Sequence, residues 1–301
     1  MAEFQKIALI GLGLIASSIA HAARRKDPEI EITGTTRSLE SRRIAAGLGY
    51  CTVVETAAEA VTGADLIVIC TPVGVMGELA ETIAPHLKEG AVVTDVGSVK
   101  RRVIEAVQPH IPEGVHFVPG HPVAGTEKSG PTAGFAELFD DRWHILTPLE
   151  DSAPEAVEKL RRFWEGLGAN VTEMEAEHHD LVLAVTSHAP HLIAYTMVGV
   201  ADDLERITEE EVITFSAAGF RDFTRIAASD PTMWRDVFLN NKSATMEVLG
   251  RFVEELLDLQ RAIRNEDGQK LHEYFTRTRD IRRGIIDAGQ DTAEPNFGRK
   301  P

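Results

Sequence analysis

Cysteine is nearly absent: the 301 residues hold only 2, Cys51 and Cys70. Two isolated thiols make neither a disulfide framework nor a zinc site, and Cys70, inside an apolar run, reads as a buried thiol. Positive charge is also short. Lys and Arg number 31 against 47 Asp and Glu, a formal net charge of −16, which argues against nucleic acid as the main partner because phosphate binding needs a basic face. No unbroken apolar run reaches the roughly 18 residues of a membrane span, and the N-terminus MAEFQKIALIG lacks the layout of a signal peptide. These absences lead to the expectation of a cytoplasmic protein with no membrane partner. Strand signals are missing from the second half, so two domains are expected: 1–174, built of strands and helices, and 175–288, helical. Residues 289–301 read as a disordered tail.

What is present begins with KIALIGLGLIAS, residues 6–17. Ile7 to Ile10 form a continuous apolar run, as in a strand covered on both faces. Gly11, Gly13 and Ala16 follow as G-x-G-x-x-A: a tight turn, a close approach for a pyrophosphate, and a small residue for helix–strand packing. The N–H groups around Gly11, Gly13, Leu14 and Ile15 then face an anion. Alone this is a weak signal, but a helix after it and a strand over Ile30–Thr35 raise it to dinucleotide binding. At the end of that second strand an NAD site has Asp or Glu. Here stand Thr36, Arg37 and Ser38, with Arg42 nearby. Hydroxyls plus a guanidinium lean slightly to the 2′-phosphate of NADP over NAD. A bystander Arg37 facing solvent is the alternative.

Alternating signals continue. Asp65–Cys70 is a buried strand ending in Thr71 and Pro72, a turn expected along the ribose side of the cofactor. Ala91–Asp95 is a strand leading to Gly97 and Ser98, at the sheet edge where open α/β sheets place ligands; Ser98 is also a candidate cap for a helix over Lys100–Val107. The order predicts a doubly wound parallel sheet. Pro119–Gly134, rich in Gly, Pro and small polar residues, reads as a loop. It carries His121 on the same sheet edge as Gly11 and Ser98.

In the helical half, Ala176–Leu204 has helical periodicity with a kink expected at Pro190. Glu209–Ala218, Pro231–Asn240, Ser243–Arg264 and Gly268–Ile286 also read as helices. Two constellations stand out there. Ser187 and His191 share a helix face; a metal site with His178, His179 and His188, a core role, or substrate contact all remain open, metal being disfavoured for want of a third ligand in sequence. The second is Gly219–Ala227, in which Arg225 follows Asp222 by three residues, a guanidinium suited to binding a carboxylate.

GLGLIASS, GSVK, GHPVAGTEKSG, SHAPHLIA and GFRDFTRIAASDP, in this order across roughly residues 5–285, resemble the prephenate/arogenate dehydrogenase family of tyrosine biosynthesis. The resemblance implies an N-terminal Rossmann domain followed by an all-α dimerisation domain, and a homodimer. It implies oxidative decarboxylation of a cyclohexadiene substrate with hydride transfer to NAD or NADP, and no metal. On the matching positions it implies His121 as acceptor of the hydroxyl proton, with Ser98 beside it. Arg225, oriented by Asp222, would hold a carboxylate, and His191 and Ser187 would line the pocket; Thr126, His179 and Trp234 rank behind them. Neither a chorismate mutase module nor a C-terminal regulatory domain is expected, so any tyrosine inhibition is expected at the active site. The rivals are another Rossmann-plus-helical dehydrogenase of the β-hydroxyacid type and a non-catalytic dinucleotide-binding protein. The first usually has a catalytic lysine in the helical half; here that half holds few lysines, Lys242 and Lys270.

Overall fold

A computed structural model describes residues 3–126, 128–205 and 215–287. Strand β1 (Lys6–Ile10) pairs in parallel with β2 (Glu31–Thr35) on one side and β4 (Leu66–Ile69) on the other. With β3 (Thr52–Val53), β5 (Val92–Asp95) and β6 (His116–Phe117) they form one sheet of order β3-β2-β1-β4-β5-β6. The strand order reverses between β1 and β4, so the crevice beyond their C-terminal ends is the place where such sheets take ligands.

Continuous apolar strands arise because both faces are covered. Ile7, Leu9, Leu66 and Val68 point to one core, with α1 (Leu14–Lys26) and α6 (Pro154–Gly166), whose Trp164 is fully buried. Ala8, Ile10, Ile67 and Ile69 point to the other core, with α3 (Ala57–Val61), α4 (Met76–Ile83) and α5 (Arg101–Val107). Helix α2 (Leu39–Leu48) follows β2.

Two features differ from the sequence expectation. Pro119–Gly134 is not all loop: Gly120–Pro122 is a short strand, β7, antiparallel to β8 (Trp143–Leu146), with His121 opposite Ile145. Its Gly and Pro hide it from any propensity reading; Pro122 is tolerated because β7 is an edge strand. And β8 pairs with β9 (Asn170–Glu173) in a separate three-stranded sheet, not in the main one.

Helix α7 (Ala176–Leu183) runs through a π turn, Ala184–His188, into α8 (Ala189–Glu205). Ala189 N–H reaches back five residues to Ala184 O. Pro190 has no N–H to give, and the wider turn just before it is a common way to absorb that loss. The expectation that no segment is apolar enough to cross a membrane needs correction. Ala176–Leu204 passes by length and composition, with mean hydropathy 1.4 over its most apolar stretch. The apolar residues are interspersed with His, Ser, Thr and Pro, so no unbroken run shows. Only 28% of that stretch is buried within one chain, although His179, Asp180 and His188 of the same helix are buried.

Beyond it lie α9 (Ala218–Thr224), α10 (Pro231–Asn240), α11 (Lys242–Arg264) and α12 (Gly268–Asp287). Asp230 caps α10 by accepting Met233 N–H at 2.8 Å, with Pro231 at the first position, as expected. Most of the expected helix at 209–218, and the tail at 289–301, lie outside the described residues. The chain divides into two compact units, Met1–Thr245 and Met246–Pro301. The first contains every candidate site residue. Within the second, Lys270 pairs with Asp258.

Candidate active site

The glycine turn fits a dinucleotide. Gly11 has φ +99°, and a Cβ there would lie 2.7 Å from Cys70 O, so only glycine passes between β1 and β4. A Cβ on Gly13 would meet nothing within 4 Å: that side is open. The N-terminus of α1, at Leu14 and Ile15, has no side-chain cap and no acidic residue in its first turn, which leaves its N–H groups and positive dipole end for an anion. Thr71, at the end of β4 beside Gly11, has a buried hydroxyl without a protein partner; Pro72 next to it is exposed. At the end of β2, Thr36 is half-buried and Arg37 exposed. Ser38 Oγ accepts Ser41 N–H at 3.1 Å and caps α2. Arg42 donates to Glu55 O at 3.1 Å.

A second group lies inward of the sheet edge. His121, 7% exposed, has Nδ1 2.9 Å from His179 Nε2, and His179 Nδ1 is 2.9 Å from Asp180 Oδ1. Three buried residues from β7 and α7 thus form a hydrogen-bonded chain that ends on the Asp180 carboxylate. Burial, then the neighbouring His179 and Lys100, hold the His121 pKa well below its ordinary value. Burial lowers His179 as well, against the pull of Asp180. Both imidazoles are neutral at neutral pH.

The Asp180 carboxylate also accepts Lys100 N–H at 2.7 Å and Arg101 N–H at 3.0 Å. It therefore caps α5 from another helix. Ser98, the expected cap, makes no such bond, and the Ser98 side chain is left half-buried at the end of β5. The Asp180 carbonyl accepts Asn241 Nδ2 at 2.8 Å, and the same amide lies 3.0 Å from His188 Nδ1. Burial pushes His188 down to about 4, chiefly against the attraction of Asp180.

Beneath His121 lies a buried ion pair. Lys100 Nζ, fully buried, contacts the Asp95 carboxylate and donates to Gly120 O at 2.6 Å. Asp95 in turn accepts Gly97 N–H at 2.8 Å and Gly120 N–H at 3.2 Å. The pair ties the turn carrying Ser98 to the strand carrying His121. A Cβ on Gly120 would lie 2.7 Å from His144 Nε2, so this strand residue must be glycine.

On the helical side, the His191 ring stacks on Trp234 at 3.7 Å between centroids. Its Nδ1 is 2.8 Å from the backbone oxygen of Ser187, not from the hydroxyl. Arg225, exposed at the start of a 3-10 turn after α9, is near enough for its charge to lower His191 further, behind burial as the main cause. Asp222 precedes it within α9. Thr126 is exposed, and its hydroxyl accepts Lys128 N–H at 3.2 Å; none of its described contacts joins it to the histidine cluster. Sequence reading did not single out Asp180, Asp95, Lys100 or Asn241 for the site, and named His188 only within the Ser187–His191 constellation. An acid at the end of an apolar strand (VVTD) and an acid next to a candidate histidine were the available signals.

Comparisons with known proteins identify the family. Residues 19–173 match the model for the prephenate dehydrogenase nucleotide-binding domain, and residues 175–277 that for its dimerization domain. The chain is 42% identical to a cyclohexadienyl dehydrogenase of Zymomonas mobilis, covering 94% of this chain and 96% of that one. It is 36% identical to a Bacillus subtilis prephenate dehydrogenase, covering 93% and 76%. Among solved structures, an Aquifex aeolicus prephenate dehydrogenase with hydroxyphenyl propionate and NAD+ superimposes with TM-score 0.85 at 33% identity, covering 93% and 98% of the two chains. A Synechocystis arogenate dehydrogenase gives 0.77 at 27%, covering 93% and 99%. The fold class and dinucleotide-binding expectations are thereby met, and this chain belongs to the prephenate dehydrogenase family.

Proposed function

We propose that the chain oxidises and decarboxylates prephenate to 4-hydroxyphenylpyruvate, arogenate to tyrosine, or both. The observation that carries this is the buried, neutral His121, whose strand β7 is tied through Asp95 to the end of β5 in the sheet that bears the glycine turn. His121 accepts the proton of the substrate's C4 hydroxyl. A nicotinamide dinucleotide on the glycine turn supplies the hydride acceptor for the hydrogen at C4. The C1 carboxylate then leaves as carbon dioxide, its bonding electrons completing the aromatic ring, and the proton held by His121 returns to the phenolic oxygen. Ser98 hydrogen-bonds the reacting hydroxyl. Arg225, oriented by Asp222, holds the side-chain carboxylate, with His191 and Ser187 beside it. The stacked Trp234 fixes the plane of His191. His179 acts behind His121.

For the cofactor we infer a slight preference for NADP. β2 ends without the acid that reads a bare ribose, and Arg37 follows Thr36 in the position to meet a 2′-phosphate. Two protomers associate through the helical segment, because α11 leaves Phe252, Val253, Leu256 and Leu257 between 38% and 53% exposed in one chain. The test is a matrix of both substrates and both cofactors, read as kcat/KM from nicotinamide absorbance. Reduction of the cofactor with at least one pair is expected; none with any pair overturns the reading. Arg37→Ser should lower the NADP to NAD ratio about tenfold, the scale of one charge-assisted contact; an unchanged ratio removes Arg37 from cofactor choice.

A further inference from the structure

We propose that Asp180 sets the tautomer of His121, acting through His179, and so is a positioning residue for proton transfer. The inference rests on the reading of His121 as proton acceptor.

The argument runs along the hydrogen bonds. Asp180 Oδ1 accepts Lys100 N–H at 2.7 Å, and Oδ2 accepts Arg101 N–H at 3.0 Å. Two backbone donors at the start of a helix favour the ionised carboxylate. An ionised carboxylate can only accept. His179 Nδ1, 2.9 Å from Oδ1, must therefore carry the proton and donate it. A neutral imidazole has one N–H, so His179 Nε2 is left as an acceptor. His121 Nδ1, 2.9 Å away, must then donate to it. This leaves the lone pair of His121 on Nε2, the nitrogen not engaged by His179. The chain requires His179 to be neutral, and its burial lowers its pKa accordingly.

The groups packed around His121 support one outcome. Lys100 comes from the turn after β5, paired with Asp95. His144 on β8 and His188 in the π turn are both pushed toward the neutral form by burial. Asp180 is thus the nearest uncompensated negative charge in the network. When a proton reaches Nε2, the cation on His121 is stabilised through His179 by that carboxylate. No electron moves in this step; the one proton comes from the substrate hydroxyl.

The test uses the full chain labelled with 15N-histidine, with ring tautomers read by long-range proton–nitrogen NMR at neutral pH. Spectra of His121→Asn and His179→Asn assign the two rings. Both are expected as Nδ1–H tautomers in the unsubstituted protein. In Asp180→Ala the acceptor facing His179 Nδ1 is gone, so the Nδ1–H preference of both rings should be lost and Nε2–H tautomers should appear. With that change, kcat should fall about 10²–10⁴-fold with unchanged dinucleotide Kd. His121 found as Nε2–H in the unsubstituted protein overturns the proposal, as does Asp180→Ala with both tautomers retained. If Asp180→Ala does not fold, the unsubstituted spectrum decides alone. Expected tautomers without turnover of prephenate or arogenate would sink the functional reading, and with it the role in proton transfer, while leaving the control of the His121 tautomer by Asp180 standing.

Discussion

The glycine turn follows β1 of the six-stranded sheet and the histidine cluster gathers around β7 of the three-stranded one, and the two are built in opposite ways. The turn is local: twelve or so residues in sequence, backbone N–H groups, and side chains that must be missing. The cluster is assembled from β7, α7 and the chain just after β5 and α10, and most of its hydrogen bonds join different segments. A turn of this kind binds whatever anion fits; a side-chain network of this kind fixes where one proton sits. Binding and chemistry should therefore separate under mutation.

The largest separation is expected from His121→Asn. It should lower kcat about 10²–10⁴-fold while leaving dinucleotide Kd unchanged in a titration; near-normal turnover would remove His121 from proton transfer. Next is Lys100→Met. It leaves Asp95 buried without its partner, and removing one side of a buried pair costs about 3–5 kcal/mol, read from urea unfolding. Stability unaffected by this change would mean that the pair is hydrated. Acidification tests the cluster as a whole. His188 is held down at about 4, against about 6.5 in the unfolded chain. Below 6.5 the unfolded state binds the extra proton, so stability present at neutral pH is lost as pH falls from about 6.5 towards 4, by about 3 kcal/mol for this group. A flat urea midpoint across that range would contradict its burial. The smallest effect is Arg225→Gln: KM for substrate should rise about 10–100-fold, the worth of a charge-assisted contact, with cofactor KM unchanged. Unaltered substrate KM would end its role as a carboxylate ligand.

The same contrast explains what was legible in the sequence. The glycine turn could be read because its requirements are local: Gly11 for positive φ, Gly13 for open space, Ala16 for packing. His121 was visible as a histidine at a sheet edge, but not as a strand residue, since three residues containing Gly and Pro carry no periodicity. Asp180 looked like a neighbour of a candidate histidine. Its work is to cap α5 some 80 positions earlier in the chain, and no local pattern reports a contact of that separation. Ser98 was misread as that cap for the same reason. The π turn at Ala184–His188 was foreshadowed only by Pro190, which signals that something must yield but not what.

The central claim is that a buried imidazole, kept neutral by its surroundings, accepts the substrate proton. The acid limb of kcat/KM reports the free enzyme's essential base, with folding at each pH followed by circular dichroism. The account predicts a profile flat through neutral pH, with an acid limb centred well below 6.5, as burial and the nearby Lys100 require of His121. A limb centred at or above 6.5 in folded protein would contradict it.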